Sequence, residues 1–170
     1  MSRHGFVYVA AAVTLAPLSS SAAFPVADPT KCRGWLAIID GGAKALADLL
    51  RDWETITAKN DGDAVRRYLG TVGDSSPLSQ LRPALQGVLR ASDLPAAFDD
   101  GAFAEASEDV LADLRAAEGV AYGSNFADYS TSVGSGGLSP AATQIKQSRA
   151  YVLKAQRSYA ALVATLEPLR

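Results

Sequence analysis

The 170-residue chain has one histidine, His4, and one cysteine, Cys32. A single cysteine excludes an intramolecular disulfide, a Cys-x-x-Cys metal site and a Cys-x-x-Cys-His haem attachment. A single histidine at the start leaves no imidazole for Ser-His-Asp or Cys-His catalysis once the first residues are removed. A surplus of one charge is also missing: 16 basic and 18 acidic side chains give a net charge of -2 and a pI near 5.3. A general nucleic-acid binder needs a basic surplus to displace condensed counterions, so that class is excluded. No stretch shows the apolar–polar alternation of a β-strand, and no internal repeat is evident. With 48% hydrophobic and 20% charged residues, the composition is that of one folded domain of ordinary size.

The first residues read as an address. Arg3 and His4 precede an apolar run from Gly5 to Leu18, interrupted only by Thr14 and Pro17, and then Ser19-Ser20-Ser21-Ala22-Ala23-Phe24-Pro25. A basic start, a short apolar run and small residues before a cut are the parts of an export signal, with cleavage between Ala23 and Phe24. A retained membrane anchor needs about 20 apolar residues, and Pro17 and the serines end this run early. Pro29-Thr30-Lys31 lacks the small and aliphatic residues that precede a lipid-bearing cysteine. The expected organisation is a signal over 1–23, a short linker over 24–31 and one domain over 32–170.

That domain reads as all-α. Ile39, Ala43, Leu46, Leu50 and Trp53 recur at steps of four and three, predicting a helix over about 33–58 with Gly41-Gly42 as its weak point. Asn60-Asp61-Gly62-Asp63 breaks the chain before a short segment, Ala64 to Leu69. Ser76-Pro77 is a helix start, a capping serine followed by proline in the first turn. Leu78, Leu81, Leu85 and Val88 or Leu89 supply its stripe, with Pro83 in the first turn or at a kink. Asp93-Leu94-Pro95 opens a third helix, with Phe103, Ser107, Val110 or Leu111, and Leu114 inward and Gly119 as its stop. Ser139-Pro140 opens the last, with Ile145, Val152, Tyr159, Val163 and Leu166 inward and Pro168 at its end. Four stripes joined by short connections predict an up-down four-helix bundle. The exception is a long Gly/Ser/aromatic loop before the last helix. Its Tyr122, Phe126 and Tyr129 either bind a partner or fold back over the end of the bundle.

Candidate chemistry is sparse. Asp61-Gly62-Asp63 hints at calcium, but the twelfth position of such a loop is Val72 rather than glutamate. Glu105, Glu108 and Asp109 resemble part of a carboxylate metal centre, yet the Glu-x-x-His of di-iron bundles is missing, and a solvated acidic face is the simpler reading. Gly134-Ser135-Gly136-Gly137 lacks the lysine of a phosphate-binding loop. Cys32, between Lys31 and Arg33, is either a thiol of lowered pKa or a small residue packed beneath Trp35. Arg66-Arg67-Tyr68 is the densest basic site. Its guanidiniums either pair with Asp61, Asp63 or Asp74, or form an electrostatic dock helped by Arg82, Arg90 and the basic side of the last helix.

Two segments carry a resemblance. Asp61-Gly62-Asp63-Ala64-Val65-Arg66-Arg67-Tyr68-Leu69-Gly70-Thr71-Val72-Gly73 and Tyr122-Gly123-Ser124-Asn125-Phe126-Ala127-Asp128-Tyr129-Ser130 resemble the PsbQ-like extrinsic subunits of photosystem II from red-lineage algae, nearest the diatom type. The resemblance implies a four-helix bundle in the plastid thylakoid lumen, peripheral to the membrane. It implies a protein that is no enzyme and holds no cofactor or metal of its own. Its implied partners are the photosystem II core and the other lumenal extrinsic subunits, with no homo-oligomer, and its implied role is to retain calcium and chloride at the oxygen-evolving site. Carried residue by residue, the implied partner-binding side chains are Arg66, Arg67, Tyr68, Tyr122, Asn125, Phe126 and Tyr129. Ala23-Phe24-Pro25 resembles the Ala-Phe junction of red-lineage plastid signals, but no second apolar signal is visible and no twin-arginine pair precedes the apolar run. Two other expectations stand beside this one: a photosystem–antenna linker with a retained N-terminal helix, and an exported helical bundle that binds a metal or apolar ligand.

Overall fold

The computed structural model describes residues 29–127 and 139–170. The signal over 1–23, Tyr129 and the glycine-rich part of the expected loop lie outside the described residues. What is described is all-helical, with no strand: α1 (Pro29–Arg51), α2 (Trp53–Ile56), α3 (Gly62–Tyr68), α4 (Leu81–Leu89), α5 (Asp100–Ala127) and α6 (Pro140–Thr165). Short 3-10 turns, Pro77–Gln80 and Glu167–Leu169, precede α4 and follow α6.

Helix starts follow local chemistry. Ser76 Oγ accepts from the Leu78 N–H and Ser139 Oγ from the Ala142 N–H, each with proline next in the chain. Pro83 stands in the first turn of α4, where no intrahelical N–H bond is lost. Four expectations are corrected. Pro29–Lys31 belong to α1 rather than to a linker. The first predicted helix is interrupted at Asp52, so that α1 and the single turn α2 replace it. Asp93-Leu94-Pro95 is not helical: α5 starts at Asp100, where Asp99 Oδ1 accepts from the Ala102 N–H, and Phe98 turns inward against Phe103 with ring centroids 5.5 Å apart. Gly119 does not stop α5, which runs on to Ala127, since a helix interior tolerates one exposed glycine at about 1 kcal/mol when its other face is well packed.

Packing follows a repeat of three and four. In α6 the buried positions are Ala141, Ile145, Ser148, Val152, Ala155, Tyr159 and Leu162. In α5 they are Phe103, Ser107, Val110, Asp113, Ala117, Ala121, Ser124 and Ala127. These two helices form the most extensive interface and run antiparallel: Ser148 Oγ donates to the Ala117 carbonyl at 3.0 Å, and Lys154 and Ser158 both reach Asp113. α1 lies antiparallel to both α6 and α4, bringing Gly42 to Tyr159 and Trp35 to Gly87. Its inward positions are Ile39, Gly42, Leu46 and Leu49, continued by Trp53 of α2, so Ala43 and Leu50 sit at the edge of the core, not at its centre.

Gly42 is required by space. A Cβ there would overlap the Tyr159 hydroxyl, which is buried and donates to the Ile39 carbonyl at 2.8 Å. Burial, then nearby Asp40, push this phenol well above the ordinary tyrosine range, so it remains a donor. Tyr159→Phe is expected to cost about 1 kcal/mol, the usual net worth of a hydrogen bond. Gly42→Ala is expected to cost about 2 kcal/mol through overpacking. Urea denaturation followed by circular dichroism checks both.

Candidate functional site

The two segments singled out in sequence meet in space. α3 is capped by Asp61, whose carboxylate accepts from the Asp63 N–H at 2.9 Å, and it packs against the last turns of α5. The approach is close enough that a Cβ on Gly62 would overlap the Ala121 carbonyl oxygen and Ser124 Oγ. The Gly62 N–H donates to Asn125 Oδ1 at 3.1 Å, and Asn125 Nδ2 donates to Asp63 Oδ1 at 2.9 Å. Asn125 thus bridges α5 to the first turn of α3.

Arg66 completes the bridge. Its side chain is 17% exposed, donates to Asp63 Oδ1 at 2.7 Å and to Glu118 Oε1 at 2.9 Å, and lies 4.6 Å from the Tyr122 ring centroid. Burial disfavours its charge, but Asp63 and Glu118 more than offset this and hold it protonated. The Arg66 hydrogen bond, then that of Asn125, holds the Asp63 carboxyl below the usual carboxylate range. The two readings of the basic site are thereby divided between its residues. Arg66 is an internal strut, and Arg67 is an exposed cation with one long contact to Asp61 at 3.4 Å. Tyr68 packs at the edge of the core and, with Arg67, lines a surface cleft of about 350 Å³ against Ala45, Asp48 and Pro77.

Two of the three expected loop aromatics, Tyr122 and Phe126, are on α5. Tyr122 and Phe126 are one turn apart, 46% and 53% exposed, with rings 4.9 Å apart in an edge-to-face arrangement. Neither folds back as a lid. Arg66 lies beneath Tyr122, so Tyr122, Phe126 and Arg66 make one patch, while Arg67 and Tyr68 face the α1 side of α3. Asn125 is committed inside the α3–α5 contact.

The remaining candidates resolve simply. Asp61 and Asp63 are engaged as a cap and as ion-pair partners, Asp74 is exposed, and Glu105, Glu108 and Asp109 form an exposed acidic face. Among the described residues no group of three or more His, Cys, Asp or Glu is placed to hold a metal ion, and no helix is long and apolar enough to cross a membrane. Burial and Asp93 push the Cys32 thiol up, opposite to the lowering expected from Lys31 and Arg33. Two residues of consequence escaped the sequence reading. Glu118 was legible only as the residue one turn before Tyr122. Asp113 was legible as a lone carboxylate on the inward face of α5. Comparison with protein-family models, with curated proteins and with solved structures gives no match for this chain.

Two predictions follow from these charges. Arg66→Ala is expected to cost about 2 kcal/mol, because it leaves Asp63 and Glu118 without their shared cation. Arg67→Ala should stay within about 0.5 kcal/mol, as for exposed pairs; denaturant titration separates them. The second concerns pH. Burial raises the Asp113 pKa, but bonds from Lys154 and Ser158 outweigh it, and the net shift is downward. A depressed folded-state pKa means that the unfolded chain binds the proton first on acidification. The contribution of Asp113 is therefore fully present above the unfolded carboxylate value of about 3.9 and lost as pH falls through the lower folded value. Melting temperature measured against pH should fall more steeply in this acid range for the native chain than for Asp113→Asn.

Proposed function

We propose that this chain is a non-catalytic extrinsic subunit that docks on the lumenal face of photosystem II and stabilises calcium and chloride retention at the oxygen-evolving site. One observation carries the reading. The two segments with PsbQ-like character are distant in sequence, 63 residues apart at the Gly62–Asn125 hydrogen bond, yet they form one contact. In this reading α1, α4, α5 and α6 are the members of an up-down four-helix bundle, and α3 is laid on the end of α5. The antiparallel pairs α1–α4, α1–α6 and α5–α6 support that arrangement. The protein works as a single copy in the plastid thylakoid lumen, peripheral to the membrane, beside the photosystem II core and its other extrinsic subunits.

The docking surface is the exposed Tyr122–Phe126 pair, with Arg67 as an outlying charge. Aromatic anchors of this kind carry much of the binding energy at interfaces, and a rim arginine contributes mainly to association rate and salt dependence. Rebinding of the purified protein to salt-washed photosystem II, with oxygen evolution followed at low calcium and chloride, tests the proposal. The expected result is saturable binding with restored oxygen evolution. Tyr122→Ala/Phe126→Ala should weaken binding by about tenfold or more without loss of helicity, and Arg67→Glu should weaken it most at low salt. Absence of saturable rebinding by the native chain would overturn the assignment.

A further inference from the structure

α4 packs chiefly on α1 and only lightly on α5, which leaves a groove between α4 and α5. The groove has a volume of about 260 Å³. Leu69, Leu78 and Leu81 lie buried along it, and Leu111 and Leu114 of α5 form a partly exposed wall. This is the side of α5 away from Asp113 and Ala117, which are engaged by α6. Three charged side chains line the groove: Arg82, Arg115 and Glu118. Glu118 is held by Arg66. Arg82 and Arg115 are exposed, and among the described residues neither guanidinium has an ion pair or hydrogen bond.

We infer that this groove binds a peptide segment of a partner protein in which one or two apolar side chains are flanked by carboxylates. Charge complementarity is the first argument. Two guanidiniums without internal partners beside an apolar floor suit carboxylates, which they can hold through paired N–H donors while the apolar side chain is buried between them. Size is the second. The groove is open and smaller than the roughly 300–1,000 Å³ that encloses a drug-sized ligand, which suits a side chain or two of a longer segment. Preorganisation is the third. Ser76 Oγ donates to the Tyr68 carbonyl at 2.6 Å, tying the end of α3 to the cap of the 3-10 turn that precedes α4. The groove therefore has little ordering cost at the moment of binding. This surface is distinct from the Tyr122–Phe126 patch, and the inference does not rest on the photosystem assignment.

The test uses the full chain and fluorescein-labelled short peptides in which one leucine or phenylalanine stands between two glutamates. Matching peptides with lysine in place of glutamate, and vesicles containing phosphatidylglycerol, are the comparison probes. Fluorescence anisotropy should show binding of the acidic peptides, none of the lysine peptides, and a loss of about tenfold or more in Arg82→Glu/Arg115→Glu. Both arginines are exposed, so this variant should melt with the native chain. Amide resonances of Thr71, Ser79 and Leu114 should shift on titration. Equal affinity in the charge-reversed variant, or shifts confined to Tyr122 and Phe126, would overturn the inference. So would failure of every acidic peptide to bind, and vesicle binding that depends on the two arginines without peptide binding would reassign the groove to an anionic lipid surface.

Discussion

The seam between α5 and α6 organises the molecule. Ala117 and Ser148 are buried and both small, so the two backbones approach closely enough for the Ser148 hydroxyl to reach the Ala117 carbonyl. Asp113 lies within the same seam and is satisfied by Lys154 and Ser158 from the facing helix. A buried carboxylate is costly unless it is paired and hydrogen-bonded, so this site is compatible with only one register of the two helices. The packing order of the other elements follows. α1 reaches α6 through Tyr159, and the free faces of α5 are left for α3 and for the groove beside α4.

α3 depends on that arrangement more than any other element. It has seven residues, too few for an isolated helix to persist in water. Its position comes from the side-chain-free approach at Gly62, the two hydrogen bonds of Asn125 and the paired carboxylates around Arg66. The consequence for function is a redistribution of charge. One of the two adjacent arginines is consumed in holding the helix, and Tyr122 of the exposed aromatic pair stands over its guanidinium. A cation beneath the ring face holds Tyr122 in place by attraction to its quadrupole.

Much of the helical structure was legible in sequence because it is set by local chemistry. Ser76-Pro77 and Ser139-Pro140 begin helical segments as expected, and the stripes through Leu78, Leu81, Leu85 and Val88 and through Ile145, Val152 and Tyr159 are inward. The errors have a common origin. Gly119 and Asp93-Leu94-Pro95 were read by local preference alone, whereas packing along α6 carries α5 past the glycine, and the inward turn of Phe98 together with the Asp99 cap delays its start. Leu49 and Gly42 stand inward in place of Leu50 and Ala43 on α1, and at Gly42 the reason is the Tyr159 hydroxyl, beside which only a glycine fits.

The candidate site divides in the same way. Sequence alone determined that the chain is helical, that its charge is nearly balanced, that histidine and cysteine chemistry is almost wholly missing, and that Arg66, Arg67, Tyr122 and Phe126 deserved notice. Each of these is a property of composition or of spacing within one turn or two. Only the tertiary structure decided that Arg66 is a strut and Arg67 is not, that Glu118 is the strut's second anchor, that Asn125 faces inward while Phe126 faces out, and that Arg82 and Arg115 share a groove. The physical reason is that a guanidinium's role depends on which carboxylates lie within a few ångströms of it. For Arg66 one of them is three residues away along α3, and the other is brought in from α5 across 52 residues of chain.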